Sequence, residues 1–63
     1  MFLKLTNIST SEKELVNMNF VVRISANDEK DPSQGTTLYD KYNNYIITVK
    51  ETLDSVEKSL NKK

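Results

Sequence analysis

The sequence contains no cysteine, no histidine and no tryptophan, and only one glycine and one proline in 63 residues. Each absence removes a class of explanation. Without cysteine there is no disulfide staple and no thiolate metal site. Without histidine the commonest remaining transition-metal ligand is gone. Nucleophilic sites of the Ser-His-Asp and Cys-His kind go with them, as do zinc hydrolases of any ordinary form. A carboxylate pair doing glycosidase chemistry survives on paper. So short a chain can hardly enclose a cleft several sugars wide. The expectation is a protein that is not an enzyme and that uses neither metal nor cofactor.

Charge of either sign is also lacking in excess. Nine Lys and Arg balance nine Asp and Glu, for a formal net charge of zero. Affinity for phosphate backbones comes from clustered cations. Here Arg23 is the sole arginine and the lysines are scattered among acids. Nucleic acid is therefore a disfavoured partner. No apolar run approaches the ~20 residues that span a bilayer, and the opening Met1, Phe2, Leu3, Lys4, Leu5 turns polar too soon for a signal peptide. A cytoplasmic location is expected, with the missing cysteines in keeping with a reducing compartment. The usage of Lys, Asn, Ile, Ser and Thr is that of AT-rich codons, pointing to a low-GC bacterium or a bacteriophage.

The length allows a single small domain over residues 1–63. A chain this short buries only about 60% of the surface its unfolded form exposes. With disulfide and metal excluded, oligomerisation or docking onto a partner is the remaining staple.

What is present reads as strands and one helix. Residues 2–8 form a first strand with Leu3 and Leu5 on one face. Residues 7–11 are turn-like, and 14–17 form a short strand, with a helical turn at 11–14 as the alternative. Residues 20–26 make the strongest strand: Phe20, Val22, Ile24 and Ala26 on one face, Val21, Arg23 and Ser25 on the other. Residues 27–35 hold the only proline and the only glycine among charges and turn formers, a loop. Residues 36–40 and 45–49 then form a hairpin around 41–44, where Asn tolerates a positive φ. Tyr45, Ile47 and Val49 share a face. From Thr52, a capping residue, the spacing of Leu53, Val56 and Leu60 predicts a helix of about three turns. Asp54 and Lys58 form an i, i+4 pair, and Lys58, Lys62 and Lys63 suit its C-terminal end. The fold class is α+β: a small antiparallel sheet of four to five strands followed by one C-terminal helix.

Several residues stand out against this frame. Tyr39, Tyr42 and Tyr45 gather at the hairpin turn, either as an aromatic platform for a protein or a base or as one core tyrosine with two turn flanks. Arg23 either pairs across the sheet with a carboxylate such as Glu14 or Asp40 or stands at an interface, or grips a phosphate-bearing ligand. Asp28 and Asp31, with Glu29, sit in a loop that is either simply solvated or recognises a partner. Their spacing lacks the order of an EF-hand. Val21 and Ile46 lie on the sheet face away from the helix and are the expected self-interface. Lys62 and Lys63 read most simply as a solubilising tail.

Three stretches carry a resemblance: Phe2-Leu3-Lys4-Leu5-Thr6, then Asn17-Met18-Asn19-Phe20-Val21-Val22-Arg23-Ile24, and finally Tyr45 through Val56 with its Val49-Lys50-Glu51-Thr52 opening. The chain resembles the small FlbD-like proteins, the SwrD-like swarming motility family. Its loop over 28–34 is longer than that pattern, and Asn43-Asn44 stand where a glycine is common. The resemblance implies a small accessory protein without catalysis and transfers no ligand-binding residue. The leading expectation is thus a non-catalytic protein-interaction module, homo-oligomeric, acting on another protein. The alternative is a phage-encoded inhibitor of a host defence system. It either blocks a host protein or sequesters a nucleotide-like small molecule, using Arg23, Lys50 and the tyrosines.

Overall fold

The computed structural model describes residues 1–61, so the Lys62 and Lys63 expectations lie outside the described residues. Strand β1 (Phe2–Thr6) pairs antiparallel with β2 (Lys13–Asn17), setting Leu3 against Val16 and Leu5 against Glu14. Between them Asn7 accepts the Ser9 N–H at its Oδ1 (2.8 Å), and Ser11 takes a φ of 63°. Strands β3 (Arg23–Ala26), β4 (Thr36–Tyr39) and β5 (Tyr45–Val49) form a three-stranded antiparallel meander. The expected α+β class is what the chain adopts, as two small sheets rather than one. They meet at a corner, where Asn7 bridges to Val49. There the Ile8 N–H donates to the Thr48 carbonyl (3.0 Å) and the Lys50 N–H to the Thr6 carbonyl (2.8 Å).

The helix α1 (Leu53–Asn61) starts as expected. The Ser55 N–H donates to Thr52 Oγ1 at 3.1 Å, capping one of the donors a helix start leaves free. Its stripe docks on the chain's own sheet: Val56 is buried and Leu60 half-buried, while Leu53 at the first position stays exposed. Asp54 and Lys58 are not in ion-pair contact; among the described residues the one ion pair joins Lys13 to Glu51 at 3.9 Å.

The core is small. Leu5, Val16, Met18, Leu38, Ile47, Val49 and Val56 are buried, with Leu3, Val21, Ile24, Ile46 and Leu60 packed around them. Polar groups inside it are answered. Thr36 Oγ1 donates to the Glu51 carbonyl (2.8 Å), and Thr37 Oγ1 donates to Asn27 Oδ1 and lies 2.9 Å from Thr48 Oγ1. This is the usual condition for tolerating buried hydroxyls.

The strongest predicted strand is shorter than its apolar alternation implies, beginning at Arg23 rather than Phe20. Asn17 is the cause. Its Oδ1 accepts the Asn19 N–H at 3.0 Å and caps a 3₁₀ turn over Met18–Phe20, closed by the Val21 N–H on the Met18 carbonyl (3.3 Å). Asn competes with the backbone in this way wherever its side chain reaches a nearby N–H. The turn breaks the period-2 pattern. Met18 points into the core and Val21 packs against it, while Phe20 and Val22 are left 68% and 63% exposed.

Glu51 ties the corner together. Its Oε1 accepts the Thr6 N–H and its Oε2 the Thr6 hydroxyl, each at 2.8 Å. Partial burial pushes its carboxyl up, but the two bonds from Thr6 and the nearby Lys13 outweigh this and hold it below its ordinary value of 4.5. A depressed carboxyl contributes stability that is present above the ordinary pKa and lost as pH falls through the lowered one. Wild-type stability should therefore decline below about pH 4.5. Glu51→Gln should cost roughly 1–2 kcal/mol at pH 7, as loss of hydrogen bonds to a charged acceptor does, and should flatten that part of the profile. Urea midpoints at pH 7 and in mild acid, wild type against variant, check both statements.

Candidate protein-docking face

Where apolar side chains fail to enter the core, most of them gather on one face. Eight large ones are exposed among the described residues: Met1, Phe2, Leu15, Phe20, Val22, Tyr42, Tyr45 and Leu53. Five of these, Leu15, Phe20, Val22, Tyr42 and Tyr45, line two adjoining hollows of about 450 and 620 Å³ that share Phe20 and Ile46. Scattered apolar residues need no explanation, but a contiguous apolar face on a monomer does.

Each element contributes for a local reason. The 3₁₀ turn expels Phe20 and Val22. Tyr45 leaves the face it was expected to share with Ile47 and Val49 because the ladder slips. Leu38 opposes Ile47 while its neighbour Tyr39 opposes Tyr45, so Ile46 has no partner residue in β4. Such a bulge re-aims the side chains on either side of it. Tyr45 ends 64% exposed, its hydroxyl oxygen accepting the Thr48 N–H at 3.0 Å. Tyr42 is held at the hairpin tip by Asp40, whose Oδ1 accepts the N–H groups of Tyr42 and Asn44 (2.9 Å each), with Asn43 at φ 63° as its residue type allows.

The three tyrosines thus do not form one platform. Tyr42 and Tyr45 line the two hollows, whereas the Tyr39 ring lies under the Arg23 guanidinium, 3.8 Å from it. Arg23 has neither of its expected acidic partners. Its Nε and Nη2 donate to Asn43 Oδ1 (3.1 and 2.7 Å), and its Nη1 donates to Ser25 Oγ (3.2 Å). Asp40 is occupied by the turn backbone, and Glu14 Oε2 accepts from Asn7 Nδ2 at 2.9 Å. Arg23 therefore clamps the hairpin turn to β3.

In the loop, Asp31 Oδ1 accepts the N–H and hydroxyl of Ser33, and its Oδ2 accepts the Gln34 side-chain amide. The Ser33 and Gln34 side-chain bonds, with the Ser33 backbone bond, lower its pKa. Asp28 Oδ1 accepts the Lys30 N–H at 2.9 Å. Both carboxylates are engaged in shaping the loop, and no group of three metal-ligating side chains occurs among the described residues. Of the two self-interface candidates, Ile46 sits at the junction of the hollows, and Val21 is half-buried against the core beside the exposed Phe20 and Val22.

No protein-family model, curated protein or solved structure matches the chain.

The sequence pattern missed Leu15, Phe20 and Val22. One signal was available: Asn17 two residues before Asn19, a capping arrangement that competes with strand. No helix among the described residues is long and apolar enough to cross a membrane.

Proposed function

We propose that this chain is a non-catalytic interaction module that works by holding a second protein chain against the face formed by Leu15, Phe20, Val22, Tyr42 and Tyr45. The observation that carries the reading is the gathering of five of the eight exposed large apolar side chains onto two hollows joined at Phe20 and Ile46. Protein interfaces place aromatic anchors at the centre and polar groups at the rim. This face has Phe20 central and Glu14, Asp40, Lys41 and Asn19 around it. A nucleotide trap centred on Arg23 would first have to release that side chain from Asn43, Ser25 and Tyr39. The FlbD-like resemblance belongs with the same proposal, as a small accessory protein without catalysis.

A photo-crosslinking phenylalanine analogue at position 42, compared with one at Lys58 on the exposed side of α1, tests the reading in cells that express the protein. Position 42 should yield a discrete covalent adduct to a protein chain, of this sequence or another. Phe20→Asp should abolish it. Equal yields from both positions would refute the assignment.

A further inference from the structure

We propose that the chain seated on this face is a second copy of the same protein, related by a two-fold axis through the junction of Phe20 and Ile46. The inference rests on the reading above and names the partner of that site.

The polarity of the groove is the first argument. One hollow carries Glu14 and the other the neighbouring pair Asp40 and Lys41, with Phe20 and Ile46 common to both. A two-fold operation that exchanges the two hollows brings Glu14 of one copy to the Lys41 end of the other, the self-complementarity an isologous contact requires. Asp40 keeps its charge beside Lys41, as Glu14 keeps its own while accepting from the neutral Asn7 amide, but neither acid pairs with Lys41, whose ammonium is in no ion pair among the described residues. Lys41 Nζ lies over the Tyr42 ring, 5.1 Å from its centroid, a cation–π contact at the surface. The zero net charge gives no long-range preference for an acidic or a basic stranger.

Area is the second argument. Phe20, Tyr42 and Tyr45 are 68%, 72% and 64% exposed. Aromatic side chains bury about 150–250 Å² each, so these three with Leu15 and Val22 offer on the order of 500 Å² of apolar surface. With its polar rim the face reaches the roughly 600 Å² per partner at the lower end of specific interfaces. Need points the same way: among the described residues seven side chains make the buried core, in a chain with neither disulfide nor histidine, the situation in which small domains associate.

Sedimentation equilibrium from about 1 to about 500 µM, spanning micromolar affinities, tests this. The wild type should move from 7.3 kDa toward twice that mass. Phe20→Asp, and independently Tyr42→Asp, should remain monomeric with unchanged circular dichroism. Glu14→Lys and Lys41→Glu should each weaken dimerisation roughly tenfold, as charge reversal at a rim does. The double reversal should restore it to within about threefold, because only a paired arrangement is rescued by swapping both partners. A wild type that stays monomeric at the highest concentration overturns the inference. The docking reading would then stand or fall on whether position 42 captures a different protein. A dimer indifferent to both Phe20→Asp and Tyr42→Asp also overturns it, and single reversals that add without rescue overturn the two-fold register.

Discussion

Gly35→Ala is expected to leave the protein largely unfolded at room temperature. Gly35 has φ +84° and ψ −170°, a combination open in practice only to glycine. Space is lacking as well. A Cβ there would run into the carbonyl oxygen of Val49 and come 2.8 Å from Ile8 Cδ1, at the corner where the two sheets join. The carbonyl belongs to a paired strand and cannot swing away as a side-chain end can. Strain of this kind costs about 1–3 kcal/mol alone, and displacing β5 from β1 adds the corner hydrogen bonds. A small domain has about 5 kcal/mol in total to lose. Urea unfolding followed by circular dichroism measures it; a midpoint within a few tenths molar of wild type would show that the corner yields easily.

The second large effect is Leu38→Ala. Leu38 is fully buried at the middle of the central strand, opposite Ile24 on β3 and Ile47 on β5. Truncating such a leucine removes transfer free energy and leaves a cavity, about 2–5 kcal/mol together. Phe20→Ala deletes a larger apolar side chain, yet should change dilute-solution stability by only about 0.5 kcal/mol, because Phe20 is two-thirds exposed. The contrast between the two variants, read in the same denaturation assay, separates the side chains that fold this protein from those left for another purpose. Comparable losses would mean that Phe20 is part of the core.

Much of the architecture follows from short-range chemistry that can be read along the chain. Val49, Ile47 and their β-branched neighbours announce β5. Asn43 accepts the positive φ its turn needs, and Thr52 caps the helix whose Val56 enters the core. The candidate site is less visible, and for a common reason. Alternation predicts which face a side chain takes only while the strand stays regular. The Asn17-capped turn interrupts it before Phe20, and the bulge between Leu38 and Tyr39 interrupts it at Tyr45. Both irregularities turn large apolar residues outward. Arg23 shows another limit. Its carboxylate partners were reasonable from composition, but Asp40 is consumed by backbone N–H groups and Glu14 by Asn7, so the guanidinium takes Asn43 and Tyr39 instead. Competition of that kind exists only once the turn has formed.

The most direct test of the account is Phe20→Asp examined in one preparation for both folding and docking. Thermal melting would be followed at a concentration low enough to dissociate any oligomer, beside the crosslinking yield from position 42. The melting midpoint should stay within a few degrees of wild type, as for a surface substitution, and the crosslinked adduct should be lost. A variant that unfolds would place Phe20 in the core, and one that folds and still crosslinks would show that the chain binds through some other surface.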